Sequence, residues 1–428
     1  MAVALVVGNM VGSGVFLLPA SLAAYGANSL TGWLASTAGA VLLACVLAAL
    51  SRAFPTDGGP YVYTRAAFGE LTAFVVAWGY WVSVWVGNAA IATGGVSYLI
   101  ALAPSMAVTP GLPAVVTLVI LWALTAVNCY GVRAAGWVQA VTTVTKLVPL
   151  LAVALVGVFV IRRDPGANLA AVPLSLEGTT AAATLTMWAL LGFESATVPA
   201  EKVEDPGRTV PRATIAGTLV AAIVCALACT FVLLMVPADR LAASNAPFAD
   251  AARLFWGDRA ATLVALFAAV STFGCLNGWI LVQGELPYVL GRDGAFPRVF
   301  SRVSARRTPV ASLVFTSTLI SALVAMNFYR RTVDLFTFMI LLATCANLVA
   351  YLLCAMALLV LLARGRLPDV RRTAPWLAVA GALGSAYSLW AIAGAGREAV
   401  AWGSVLLLAG LPVYGVMRRG RRTPGARA

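Results

Sequence analysis

Apolar residues run through this chain in stretches of twenty or more, recurring from end to end, with short polar and basic segments between them. Each stretch is long enough to cross the ~30 Å hydrocarbon core of a bilayer as a helix rising ~1.5 Å per residue. The pattern predicts spans at 1–24, 32–53, 71–103, 111–130, 138–161, 179–200, 213–236, 259–289, 309–328, 334–363, 374–395 and 398–417. The expectation is an all-α polytopic membrane protein, twelve transmembrane helices joined mostly by short loops.

Two of these spans are interrupted. "GNMVGSGVFLLP" (8–19) sets three glycines and a proline inside the first, and "MWALLGFESATVPAEKVEDPGRTVP" (187–211) carries a glycine-bearing break in the sixth. Glycine and proline are poor residues for a helix interior. Backbone freed from its helix is tolerated at membrane depth only where it lines a cavity. Breaks in the first and sixth helices divide the chain into two five-helix halves. Five is odd, so the second half is inverted, and interrupted segments at matching positions point to a transporter binding site. Close helix packing would explain a single GxG; two matched breaks speak against it. The expected division is a first repeat at 1–162, a second, inverted repeat at 178–363, two additional helices at 373–417 and a basic tail at 418–428.

The breaks carry chemistry. Unwinding around Gly12, Ser13 and Gly14 exposes N–H groups at the start of a half-helix, where a carboxylate is favoured. Carbonyls near Asn9 and Met10, at the end of the preceding half-helix, suit an ammonium group. Donors and acceptors side by side match an α-amino acid.

Composition narrows the function. The chain is 61% hydrophobic and 11% charged, where soluble domains are about a quarter charged. It has no histidine, which removes most zinc sites and every Ser-His or Cys-His catalytic arrangement. No aspartate falls in the interior of a predicted span, Asp334 standing at the first position of one, so the one intramembrane hydrolase arrangement left is a Ser13–Lys146 pair. No GxxxxGK[ST] loop supports ATP-driven transport, and no repeated filter or charge ring supports a channel. The seven cysteines form no CxxC pair and read as small hydrophobes. No cofactor or metal is expected.

Of the 29 Lys and Arg residues, 20 fall on the side of the two termini and 8 on the other, with Lys146 inside the fifth span. Basic loops face the cytoplasm. Both termini are therefore expected inside, in a cell's inner membrane, and the net charge of +13 is mostly topological. The tail "RRGRRTPGARA" reads as contact with anionic lipid headgroups rather than nucleic acid. The first apolar segment runs into glycine-rich sequence rather than a small-residue cleavage site, so it reads as a span and not a removable leader. The residues before Gly12 make only about 16 Å of helix, so a fuller first helix is expected to begin upstream.

With "GNMVGSGVFLLP", the stretches "FPTDGGPYVYTRAAFGE" (54–70), "MWALLGFESA" (187–196), "EDPGRTVPRAT" (204–214), "NAPFADAARLFWGD" (245–258) and "GWILVQGELPYVLGRDGAFPRVFSRV" (278–303) resemble the amino acid–polyamine–organocation superfamily. Within it the resemblance is to the arginine/agmatine antiporters and their cadaverine and putrescine relatives, over nearly the whole chain. It implies an inverted five-plus-five repeat with discontinuous helices 1 and 6, two further helices, alternating access and often a homodimer. The implied activity is exchange of a cationic amino acid for its decarboxylated amine. A proton-coupled or exchange transporter of neutral or broad-range amino acids is the alternative.

The resemblance also assigns residues. Gly12, Ser13 and Gly14 match the carboxylate-binding break, with Asn9, Met10 and Leu191 at the substrate. Trp188 matches a substrate-stacking tryptophan, whose face attracts a guanidinium or ammonium. Glu194, the one acidic residue near mid-membrane, matches a coupling glutamate; such a carboxylate is costly there and marks a site for proton exchange or pH response. Tyr80 matches a gating tyrosine and Asn88 a substrate contact. They stand roughly 80° apart around their helix, so both are expected at one cavity. Trp279 matches a tryptophan closing the pathway, and Tyr351 a tenth-span tyrosine near the pocket. For each aromatic or polar residue the alternative is helix packing. Lys146, ~12 Å into its span, departs from the arginine/agmatine pattern. The resemblance implies that its amine braces the first-span break where sodium-coupled relatives hold sodium, or carries a proton. Ser83 and Val84 replace alanine and cysteine beside the substrate, and Ala343 stands where a polar residue would meet a guanidinium. Glu285 is expected to pair with a loop arginine.

Overall fold

The computed structural model describes residues 2–160, 168–330, 333–367 and 373–422, except for the side chains of residues 13, 132–134, 156–160, 327–330, 333–335 and 420–422. All regular structure in these residues is helical. α1 (Ala2–Met10) and α2 (Ser13–Leu22) are separated by Val11 and Gly12. Next come α3 (Asn28–Ala53), a loop carrying Asp57, α4 (Pro60–Phe68) and the long α5 (Glu70–Leu102). The single turn α6 (Ser105–Val108) leads to α7 (Leu112–Tyr130) and α8 (Val132–Val160). α9 (Leu176–Leu190) ends at a second break, and irregular chain leads to α10 (Pro206–Met235). Short α11 (Ala238–Ala242) and α12 (Pro247–Trp256) precede α13 (Asp258–Arg292), α14 (Val310–Arg330) and α15 (Val333–Ala363). The described chain finishes with α16 (Ala374–Gly394), α17 (Gly396–Leu408) and α18 (Gly410–Arg422).

Helix starts follow local chemistry. Proline opens α4, α7, α10, α12 and α16, where its missing N–H would have no helical partner and its fixed φ suits the first turn. Ser175 caps α9 by accepting the Gly178 N–H at 3.0 Å. Inside α2, Pro19 removes the donor to the Val15 carbonyl; Cys229 Sγ supplies a substitute at 3.2 Å. All seven cysteines are unpaired.

Among the described residues, ten helices are long and apolar enough to cross a membrane, and Val310–Met326 is a shorter apolar one. Two expected spans fall short of that length: the second break cuts the sixth to Leu176–Leu190, and the ninth is the shorter Val310–Met326. α5 lies centrally against α13 and α15, while α3 packs on α9 and α10 and α8 on α13 and α10. These long helices enclose the two breaks.

Candidate functional site

The breaks meet because glycine lets them. Gly192 has φ +120°, where side chains are strained, and a Cβ there would lie 3.1 Å from the Asn9 backbone. A Cβ on Gly14 would come 2.9 Å from Ala189 Cα and 3.1 Å from the Trp188 ring. The last carbonyls of α1 lack helical partners, as at any helix end. Lys146 Nζ donates to the Gly8 carbonyl at 2.7 Å. The Asn9 carbonyl receives Trp279 Nε1 and Cys275 Sγ, each at 3.1 Å. Side chains of α8 and α13 thus replace the water that lipid cannot provide.

At this junction lies a narrow cavity. Asn9, Met10, Gly12 and Gly14 line it from the first break, and Trp188 and Leu191 from the second. α5 contributes Ser83 and Asn88, together with Val84, Gly87 and Ile91; α13 contributes Cys275 and Trp279, and α15 Asn347. None of these side chains is charged. Four buried polar atoms at the cavity have no partner: Asn9 Nδ2 and Trp188 Nε1 are donors, Asn88 Oδ1 and Asn347 Oδ1 acceptors. The Trp188 indole sits against Gly14 and Gly87.

A second cluster surrounds Glu194, in the turn after the second break. Tyr80 Oη donates to Oε1 at 3.0 Å, Tyr351 Oη to Oε2 at 2.5 Å, and the Gly192 N–H to Oε2 at 3.2 Å. All three side chains are fully buried. Three donors on one carboxylate satisfy a group that is otherwise expensive to bury.

Several sequence expectations are thereby placed or corrected. Asn9, Met10, Gly12, Gly14, Ser83, Asn88, Trp188, Leu191 and Trp279 come together at the cavity. Tyr80 does not join Asn88 there. Eight residues give modest rotation but also ~12 Å of rise, which carries its hydroxyl to Glu194. Tyr351 and Glu194 share that cluster, and Lys146 is held at Gly8 rather than in the cavity lining. The Asn9 carbonyl, expected to await an ammonium, is already occupied by Trp279 and Cys275. The Ser13 side chain lies outside the described residues. Glu285 pairs with Lys202 rather than with an arginine.

That ion pair belongs to a set of ties beside the second break. Asp57 Oδ1 accepts the Glu201 N–H at 2.8 Å, Arg292 approaches Glu201 at 3.7 Å, and the Gly58 N–H reaches the Val198 carbonyl at 2.9 Å. Burial lifts the Asp57 carboxyl above its usual range. The Glu201 N–H and the Lys202 and Arg292 charges oppose that rise, and the Glu201 charge adds to it.

Sequence reasoning missed Cys275, Asn347 and Gln139. Gln139 Nε2 donates to Asn9 Oδ1 at 3.0 Å, in a space that Cβ atoms on Gly8 or Gly278 would fill. A usable signal existed for two of them, since Asn347 and Gln139 are carboxamides inside strongly apolar runs. Among the described residues, no group of three or more His, Cys, Asp or Glu side chains is placed to hold a metal.

Comparison with known proteins agrees in kind. A family model described as amino acid permease matches residues 1–417. The putrescine transporter PotE of Escherichia coli (strain K12) is 30% identical over 96% of this chain and 93% of its own length. The cadaverine/lysine antiporter of the same strain is 35% identical over 74% of this chain and 72% of its own. A Bacillus subtilis (strain 168) protein provisionally named arginine/ornithine antiporter is 31% identical, covering 86% of this chain and 84% of itself.

Proposed function

The chain belongs to the amino acid permease family, and from that premise we propose that it is a secondary antiporter of a cell's inner membrane, exchanging a basic amino acid for its decarboxylated amine. One observation carries this reading: the residues lining the uncharged cavity between the breaks carry two unpartnered donors and two unpartnered acceptors. Buried polar atoms without partners are unfavourable. A zwitterion with a basic side chain supplies what both kinds lack. The first turn of α2 presents backbone N–H groups and a positive dipole end to its carboxylate. The Trp188 face suits its cationic end. The relatives named for putrescine and for cadaverine with lysine support substrates of this class.

In the proposed arrangement twelve spans form inverted repeats at 1–162 and 178–363, followed by two helices at 373–417, with both termini cytoplasmic and the chain often paired as a homodimer. Alternating access opens one side of the cavity at a time. One recess, lined by Leu5, Gln139 and Lys202, lies toward the start of α1. Another, lined by Leu17, Ser97 and Asn245, lies beside the last turns of α2. The Glu194 cluster and the Asp57–Glu201 ties brace the irregular chain between α9 and α10 that must move. A broader, neutral range of amino acids is the second reading. It is favoured by Ala343, which keeps the wall near Gly87 apolar, and by Lys146, whose hold on Gly8 removes the need for sodium.

The test is exchange in proteoliposomes. Vesicles loaded with arginine should take up labelled arginine only when loaded, with agmatine and putrescine as competitors. Competition by leucine or alanine alone replaces this reading with the second.

A further inference from the structure

Asn347 is the cavity side chain that its own helix explains least. The nearest polar neighbour on α15, Thr344, is satisfied locally, donating to the Ile340 carbonyl at 2.6 Å. Asn347 is 2% exposed, lines the cavity, and leaves Oδ1 without a donor. A carboxamide in so apolar a helix is unfavourable unless something else answers it.

Its place on the helix is informative. Residues 343, 347 and 351 recur one turn, ~5.4 Å, apart on one face. Ala343 approaches Gly87, with its Cβ 3.8 Å from where a side chain there would begin. Tyr351 reaches Glu194. Asn347 stands between them, the one polar group this face of α15 gives the cavity. On the adjoining helix α5, Asn88 shows the same deficit. Its Nδ2 donates to Gln283 Oε1 at 2.6 Å, and Gln283 Nε2 donates in turn to Ser317 Oγ at 3.0 Å. Asn88 Oδ1, an acceptor, has no partner. Two residues with unpartnered carboxamide oxygens thus line one narrow, uncharged space beside an indole.

We propose that Asn347 is a specificity-determining residue which, with Asn88, accepts the N–H groups at the side-chain end of a basic amino acid or the second amine of a diamine. This rests on the reading of the cavity as the substrate site, and it names which end of the substrate meets α15. A neutral aliphatic substrate leaves Asn347 to water.

The experiment is competition in proteoliposomes, with labelled arginine and labelled leucine run in parallel on wild type, Asn347→Ala and Asn347→Asp. Unlabelled arginine, ornithine, putrescine, leucine and alanine are the competitors. In Asn347→Ala the half-inhibitory concentrations of the three basic compounds should rise about tenfold, the size of one lost hydrogen bond to a charged group, with the neutral ones within about twofold. Asn347→Asp should shift selectivity toward the basic compounds. An equal rise for all five competitors, or no change in any, overturns the proposal. Should Asn347→Ala fail to elute as a folded protein, Asn347→Asp decides, and unchanged selectivity there overturns it equally. Wild type that exchanges leucine but no basic compound rejects the basic-substrate reading and this inference with it. Wild type that accepts basic compounds while the variants stay unselective rejects only the role of Asn347.

Discussion

Replacing Lys146 by methionine tests how the first break is held. The amine is fully buried and donates to the Gly8 carbonyl at 2.7 Å, a group with no helical partner because α1 ends at Met10. Methionine matches the length of the stem but cannot donate. An unmade hydrogen bond at a buried carbonyl costs ~1–3 kcal/mol, a factor of about 5 to 150 in the population of the correctly held break. Removing a buried amine also relieves its desolvation, so global stability should change by less than that figure. The expected variant folds, melts within a few degrees of wild type, and exchanges labelled arginine at least about fivefold more slowly, the lower bound of that range. Proteoliposome exchange and thermal unfolding in detergent read the two effects separately. Wild-type exchange should be the same in sodium and in choline. A Lys146→Met protein with wild-type turnover, or a wild type that requires sodium, refutes the bracing role.

Glu194→Gln keeps one acceptor where two oxygens now serve Tyr80, Tyr351 and the Gly192 N–H. Exchange should fall about tenfold or more with folding intact, each charge-assisted bond being worth ~1.5–3 kcal/mol; unchanged turnover removes Glu194 from the mechanism. Gly192→Ala adds a Cβ at φ +120° beside the Asn9 backbone. Strain of ~1–3 kcal/mol should lower the melting temperature and exchange together, and a variant with both intact would show that the breaks need not touch. Asp57 has a raised carboxyl value in the folded protein, so folding takes up a proton. Its burden on stability is present at neutral pH and is relieved as pH falls through the raised value toward the ordinary 3.8. Asp57→Asn, which keeps the acceptor for the Glu201 N–H, should therefore stabilise at pH 7 and flatten the melting profile on the acid side. A steeper profile would contradict the sign.

The linear sequence by itself determined the class of this protein. Long apolar runs leave a helical bundle as the one way to satisfy the backbone in lipid. Glycines at 12, 14 and 192 announced where the helices fail, and Trp188, Asn88 and Trp279 were legible as cavity residues from the resemblance around those breaks. Tertiary packing decided the partners. Lys146 reaches Gly8 because α8 lies against α1, and Tyr80 reaches Glu194 because rise along α5 outweighs rotation. The Asn9 carbonyl, open in any reading of α1 alone, is filled by Trp279 and Cys275 from a helix more than 260 residues away. Asn347 and Gln139 were visible only as polar letters in apolar runs. Periodicity tells which residues share a face of one helix, whereas the side chains that satisfy a freed carbonyl come from neighbouring helices whose rotation and depth are set by packing.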